Sequence, residues 1–348
     1  MESEGTPLEM VPGIGPVAAK RLREHNIVNA EYLARQSYSE LSWGTKLGEA
    51  TCHKIVTNAR ELLGYEFQSG LELESSRSSD YKLTTGVEVV DRKLRGGIPT
   101  GSLVEVYGPS RGGKSHLMIQ LAVRAQLPPE QGGLESNVLW LMTGLSFRSL
   151  SVRAAALRYG VDGDTALNNI AVQEVVNREH LQDILKTLPE VMAQTGTRVV
   201  VIDSLGGLFQ VEYATLCHRS VMEKELAQVM RTLRHITRAG DGVCIYTNQV
   251  FEHITNYGGN PNSPMNGHIM RHGSDYRFFL RKRAREKRGL SLQKAPDVPE
   301  FDTEIEIGWG GFYPDARERK DSEREIYDML DGLFPRVPSE SEGVEVIG

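Results

Sequence analysis

Two hydrophobic rhythms alternate along most of this chain. Runs that are apolar at nearly every position stand at LVEVYG (103–108), NVLWLMT (137–143), NIAVQE (169–174), RVVVIDS (198–204) and GVCIYTN (242–248). Between them lie longer stretches, such as HLQDILKTLPEVMAQ and MEKELAQVMRTLRHITRA, whose apolar residues recur every three or four positions. A strand covered on both faces needs apolar side chains up and down, whereas a helix lying on it needs only one apolar stripe. The alternation therefore predicts an α/β fold with a buried, mostly parallel sheet. DYRFFLRKR and RGLSLQK flank a charged turn and predict a hairpin at the sheet edge. TEIEIGWGGFYP predicts one further strand.

The two ends of the chain follow other patterns. Residues 1–64 place Ile27, Tyr32, Leu33, Leu41, Leu47, Ile55 and Leu62 at helical spacing, behind the Pro-Gly-x-Gly-Pro hairpin of VPGIGPVAAKRL (Val11 to Leu22). They predict a small all-α domain. Residues 65–82 belong to a polar, Ser-rich stretch without periodicity and read as a linker. Residues 83–314 hold the α/β core. In residues 315–348 one amphipathic segment, SEREIYDMLDGLF, precedes an acidic PSESEGVEV that reads as a partly disordered end.

Composition narrows the classes. With 348 residues, 39% hydrophobic and 25% charged, the chain has the makeup of an ordinary globular protein of one large and one small domain. No apolar run is long enough to span a bilayer and no signal peptide opens the chain, so no membrane partner is expected. The net charge of −6 rules out an overall polycation, but local basic patches remain open to nucleic acid. Cys52, Cys217 and Cys244 are too scattered for a disulfide framework, which points to a reducing cytoplasm. Cys52-His53 has no further ligands near it in sequence and is not read as a metal site.

Candidate chemistry concentrates in VYGPSRGGKSH (Val106 to His116), a strand running through a Gly-rich loop into a helix. Gly108, Gly112 and Gly113 let consecutive N–H groups turn toward phosphate oxygens, and the following helix presents its N-terminal dipole to the same charge. In this G-x4-G-K-S pattern Lys114 would reach the β- and γ-phosphates and the Ser115 hydroxyl would sit on Mg²⁺. RVVVIDS supplies the usual partner, an apolar strand ending in an acid, Asp203. Gln249 ends a third strand. It is either a surface amide or a γ-phosphate sensor, and the residues alone favour neither.

These motifs, taken in order, resemble the RecA/RadA recombinases, specifically archaeal RadA and its eukaryotic relatives, from about Val11 to about Tyr313. The resemblance rests on the succession VPGIGP, TTG…LRGGIPTGSLVEVYGPSRGGKS, QLAVRAQLPPEQGGL, VVVIDSLGGLF, YTNQV, NGHIMRHGSDYRFFLRK and KAPDVPE. It implies a RecA-type P-loop ATPase core behind a helix-hairpin-helix DNA-binding domain. It also implies self-association into a filament or ring on single-stranded DNA, ATP held between protomers, pairing with a homologous duplex, and a place at the nucleoid.

By that resemblance Gly108, Pro109, Ser110, Arg111, Gly112, Gly113, Lys114, Ser115 and His116 hold ATP, and Ser115 and Asp203 hold Mg²⁺. Lys114 and Gln249 act at the γ-phosphate, with His268 and Lys294 also facing it. Gly13, Gly15 and Lys20 would touch DNA from the hairpin domain, and Arg219 from a first loop near Glu212 to Met222. Tyr257, Gly258 and Gly259 would do so from a second loop (Phe251 to Gly267). Arg277 belongs to the basic run RFFLRKRAREKR, which is either a DNA contact or a solvated hairpin tip. Phe67, with Gly70, would be the hook that docks on the next protomer as an added strand.

The chain departs from the family at chemically sensitive positions. Gly144 stands where the family carries the glutamate that activates the attacking water, and Met142 also replaces an acid. No Asp or Glu occurs between Glu135 and Asp162. Loss of a general base costs about 10²–10⁴-fold in rate. The docking motif reads Phe67-Gln-Ser-Gly70 in place of Phe-x-x-Ala, and Leu216 and Met222 fall where the first DNA loop carries arginines. Lys294 replaces an aspartate, and either sets its ammonium against a γ-phosphate or is a solvated loop residue. Two main readings follow: a strand-exchange recombinase with DNA-dependent ATPase activity, or a weakly hydrolysing paralogue that binds ATP and DNA and assists a partner recombinase. A third, an unrelated P-loop ATPase such as a replicative helicase or a circadian-clock-type ATPase, is opposed by the hairpin domain and by NGHIMRH.

Overall fold

The structure is a computed structural model and describes residues 5–77, 81–144, 147–213, 219–250 and 267–333. At the N-terminus, a 3-10 turn (Leu8–Met10) leads into α1 (Pro16–Arg23), α2 (Ala30–Ala34), α3 (Tyr38–Thr45) and α4 (Glu49–Leu62). Pro16 opens α1 at a position where its missing N–H costs nothing, and Gly13 makes the preceding turn at φ 90°. Leu8, Leu22, Leu33 and Ile55 are fully buried between these helices. The expected structureless linker contains a helix, α5 (Gly70–Arg77). Ser69 and Glu72 form a reciprocal cap at its start: Ser69 N donates to Glu72 Oε2 at 2.7 Å and Glu72 N to Ser69 Oγ at 3.2 Å.

The core follows as β1 (Lys82–Leu83), α6 (Glu88–Lys93), β2 (Ile98–Pro99), β3 (Ser102–Gly108), α7 (Lys114–Ala125), β4 (Asn137–Met142), α8 (Ser149–Arg158), α9 (Gly163–Asn168) and β5 (Ile170–Glu174). It continues through α10 (Arg178–Thr195), β6 (Thr197–Asp203), α11 (Leu205–Tyr213), α12 (Arg219–Ala239), β7 (Val243–Gln249) and α13 (Gly267–Gly273). The last elements are β8 (Tyr276–Lys282), β9 (Lys287–Lys294), β10 (Phe301–Gly308), β11 (Gly311–Tyr313) and α14 (Ala316–Leu333). The main sheet has nine strands in the order β11-β10-β9-β8-β3-β7-β6-β4-β5, with every pairing from β8 to β5 parallel.

The doubly apolar strands feed two cores. On β3, Leu103 joins one buried cluster, while Val104 and Val106 join the other; β6 and β7 divide in the same way. The N-terminal helices pack on the first of these faces, through α2 against α12, where Tyr32 Oη donates to the Ile236 carbonyl at 3.4 Å. Two expectations need correction. The β8–β9 hairpin lies inside the sheet, because a second hairpin covers it. That second hairpin is the segment read as a single strand; it turns at Trp309-Gly310, and Gly311 takes φ 109° as β11 begins. Among the described residues, no helix is long and apolar enough to cross a membrane.

Candidate functional site

The order β3-β7-β6 brings three strand ends side by side, with Gly108 in register with Gln249 and Ile202 with Tyr246. The Gly-rich loop leaves β3 there and enters α7 at Lys114. A side chain on Gly108 would collide with the Leu280 carbonyl. Gly113 takes φ 103°, and a Cβ there would lie 2.8 Å from both Ile307 and Phe312 of the β10–β11 hairpin. The loop is therefore pressed against its own sheet and faces outward with backbone.

Lys114 is 9% exposed, and its Nζ donates to the Gly108 and Pro109 carbonyls at 2.9 Å each. Burial pushes its ammonium below the usual lysine range, and the nearby Asp203 charge offsets part of that. Ser115 Oγ donates to Asp203 Oδ2 at 2.7 Å, and Thr247 Oγ1 donates to Asp203 Oδ1 at 2.6 Å. A hydroxyl and a carboxylate thus meet beside a buried ammonium, a donor set that fits a hydrated Mg²⁺ on a polyphosphate. Above them opens a cavity of about 710 Å³, lined from Ser110 through His116 and by Gly144, Asp203 and Gln249. Burial, and after it the Arg288 charge, hold the His116 imidazole below its ordinary value.

The cavity also draws in residues that sequence reasoning passed over. Thr143, Arg148, Ser151 and Thr247 line it. Thr143 Oγ1 donates to the Ser204 carbonyl at 2.9 Å, and its N–H to the Asp203 carbonyl at 3.0 Å. Thr247 was discoverable: it stands two residues before Gln249 on a strand adjoining Asp203, so the two side chains share a face. Gly144 is exposed at the rim, with nothing within 4 Å of where its Cβ would be, and among the described residues lining the cavity Asp203 is the only acid. Met142 ends β4 directly opposite Asp203.

Other candidate residues lie elsewhere. His268, in the first turn of α13, is exposed and packs edge-on against His272, with ring centroids 4.7 Å apart. Lys294 is half-buried: its Nζ caps the end of α13, donating to the Arg271 carbonyl at 2.8 Å and to the Ser274 carbonyl. Burial pushes its ammonium down. Arg277 requires a correction, because its side chain is 7% exposed and bonds at 2.6 Å to Glu105, which is wholly buried. It is therefore not presented to DNA. Both faces of β8 are buried at this end, and the inward carboxylate of Glu105 fixes where the guanidinium goes.

Among the other DNA candidates, Gly13, Gly15 and Lys20 are all exposed, and no side chain caps α1 at Gly15. Arg219 opens α12. Met222, at a position where arginine was expected, is 1% exposed and belongs to the apolar core. Tyr257, Gly258 and Gly259 lie outside the described residues. Phe67 is fully exposed, and Gly70 is the first residue of α5. Among the described residues no cluster of His, Cys, Asp and Glu is arranged to hold a metal by itself.

Comparison with known proteins agrees with this architecture. The Rad51 family profile matches residues 76–314. The chain is 31% identical over 309 residues to the DNA repair protein rhp51 of Schizosaccharomyces pombe, covering 88% of this chain and 85% of that one. It is 30% identical over 296 residues to the DNA repair and recombination protein RadA of Metallosphaera sedula, covering 85% of this chain and 91% of that one. A nine-stranded α/β core built around a P-loop, matched along most of its length, places the chain in the Rad51 family.

Proposed function

We propose that this chain is an ATP-binding recombinase that assembles on single-stranded DNA and pairs it with a homologous duplex in recombination and repair. The observation that carries the reading is the meeting of Lys114, Ser115 and Asp203 below a nucleotide-sized cavity, in a chain of the Rad51 family. Bound Mg²⁺ would neutralise charge building on the phosphates of ATP. Gly108 to Gly113 would hold those phosphates by backbone, and Lys114 would leave its two carbonyl acceptors for phosphate oxygens. Ser115 and Asp203 would hold the metal's shell, with Thr247 fixing the rotamer of Asp203. Gln249, at the rim, would sense the γ-phosphate and pass its presence to the segment that follows it. His268 is the second candidate for that relay.

Assembly has a plausible physical basis in the sheet edges. β11 is buried at every position and braced by α14, whereas β5 is exposed from its second residue on, with Val172 39% exposed and Val176, just past its end, 73% exposed. An incoming strand carrying Phe67 would find its free backbone donors and acceptors at β5. Gly13, Gly15 and Lys20 would meet a DNA phosphate through exposed backbone N–H groups and one ammonium.

Gly144, and Asp203 standing as the one carboxylate among the described residues of the cavity, favour a second reading, in which ATP is held far longer than it is hydrolysed. The protein would then stabilise or cap a partner recombinase filament. ATP turnover of the wild type and of Gly144→Glu, with and without single-stranded DNA, separates the two. Slow wild-type turnover that the glutamate accelerates assigns a holding site; DNA-stimulated wild-type turnover assigns a working ATPase. Absence of any filament on single-stranded DNA by electron microscopy with Mg·ATP, together with no strand pairing, removes the recombinase reading.

A further inference from the structure

A second cavity, of about 470 Å³, opens where the N-terminal helices meet the core, between α2, α4, α10 and α12. Its volume lies in the range of small-molecule sites. Its walls carry six basic side chains against one acid, Glu40. Three of the six are already engaged. Arg60 caps α2, donating to the Ala34 carbonyl at 2.9 Å and to that of Gln36 at 3.3 Å. Lys186 pairs with Asp183 at 2.7 Å, and His25 Nδ1 lies 2.9 Å from the Arg21 carbonyl.

The other three are held more loosely: the Arg35 guanidinium lies 5.7 Å from the Tyr65 ring centroid. Arg35 has a buried Nε without a hydrogen-bond partner. Arg231 is exposed at the cavity mouth and forms a loose ion pair with Glu40 at 3.8 Å. His235 makes no hydrogen bond to a neighbour strong enough to hold it charged: burial, and then the Arg35 and Arg231 cations, hold its imidazole below the ordinary value. The buried Arg35 donor without an acceptor carries a cost that an anion in the cavity would relieve, and the solvent-exposed Arg231 stands ready to share that anion.

We propose that this cavity binds a phosphate group, held by Arg35, Arg231 and His235. Arg35 comes from the end of α2 and Arg231 from the middle of α12, so the phosphate bridges the hairpin domain and the core and fixes one against the other. The charged groups facing His235 are Arg35, Glu40, Arg231 and Arg238. An anion placed among them favours the protonated imidazole and so raises the midpoint at which His235 titrates. The phosphate comes either from a free anion or from a DNA backbone.

The test follows the histidine ring resonances of the full chain by NMR while inorganic phosphate is added, with the P-loop filled by Mg·ADP. The His235 signal is assigned by its loss in His235→Gln. We expect phosphate to raise the His235 titration midpoint by at least about half a pH unit. Chloride at equal ionic strength has no such effect, and the rise is absent in Arg35→Gln/Arg231→Gln. If a single-stranded oligonucleotide reproduces the rise without added phosphate, the source is DNA. If only inorganic phosphate does so, the site takes a free anion. No movement with either, or equal movement with chloride, overturns the proposal in the wild type alone, whatever the stability of the double variant.

Discussion

Replacing Glu105 by Gln is expected to cost about 3–5 kcal/mol of folding stability. Glu105 and Arg277 stand in register on the adjacent strands β3 and β8, 0% and 7% exposed, with Nε and Oε2 2.6 Å apart. Asn248 Nδ2 donates to the other carboxylate oxygen at 3.0 Å, and the guanidinium lies 4.3 Å from the Tyr107 ring centroid. Arg277 Nη2 already lacks a hydrogen-bond partner, so the carboxylate is what makes burial of this cation tolerable. At an effective dielectric constant near 20, unit charges about 4 Å apart attract by about 4 kcal/mol, in line with that loss. Arg277→Met strands the carboxylate and should cost a similar amount. Glu105→Leu with Arg277→Met removes both charges and should sit within about 1–2 kcal/mol of the wild type. Denaturant unfolding followed by fluorescence reads the cycle, since Trp140 is fully buried in β4. An Arg277→Met protein as stable as the wild type but defective in DNA binding would refute the reasoning and restore Arg277 as a DNA ligand.

Other outcomes follow from local geometry. Gly113→Ala should weaken binding of a fluorescent ATP analogue and cost about 1–3 kcal/mol, because its Cβ meets Ile307 and Phe312 at 2.8 Å; a melting curve and a titration that match the wild type would contradict this. Lys294→Met uncaps α13, and hydrogen exchange should speed up there while β9 stays protected. Ser69→Ala removes the cap of α5 and should destabilise that helix by about 0.5–2 kcal/mol, seen in the same exchange experiment. His116 titrates in the folded state below its ordinary value of 6.5, so the unfolded chain takes the proton first. Its contribution is complete above about pH 6.5 and is lost as pH falls through the folded value. The melting temperature should therefore drop from pH 7 to 5.5, and less steeply in His116→Gln.

The central strands were legible in the sequence because burial on both faces makes most positions apolar, as Val199 and Val201 on one face and Val200 and Ile202 on the other attest. The P-loop was legible because Gly108 and Gly113 are dictated by contacts that no other residue tolerates. What escaped has a common cause. Arg277 looks like a surface charge in a basic context, and only strand pairing reveals that Glu105 lies inside, opposite it; the role of Lys294 in capping α13 likewise appears only in three dimensions. Helix α5 was hidden by serines that break periodicity, although Ser69-x-x-Glu72 is a legible cap. Met222 looked like a missing arginine and is a core residue of an amphipathic helix.

The position of β3 bears on how the protein is made. Its two neighbours are β7 and β8, so the strand that carries the phosphate loop cannot be paired on both sides until residue 282 exists. At ribosomal rates of about 5–20 residues per second, that leaves roughly 10–35 s between the synthesis of Gly108 and the synthesis of its last partner. Throughout that interval a strand apolar at most positions has at least one edge open on the nascent chain, and both edges until β7 is made. Ribosome-bound chains halted before β8 should therefore depend on chaperone protection that the finished protein does without.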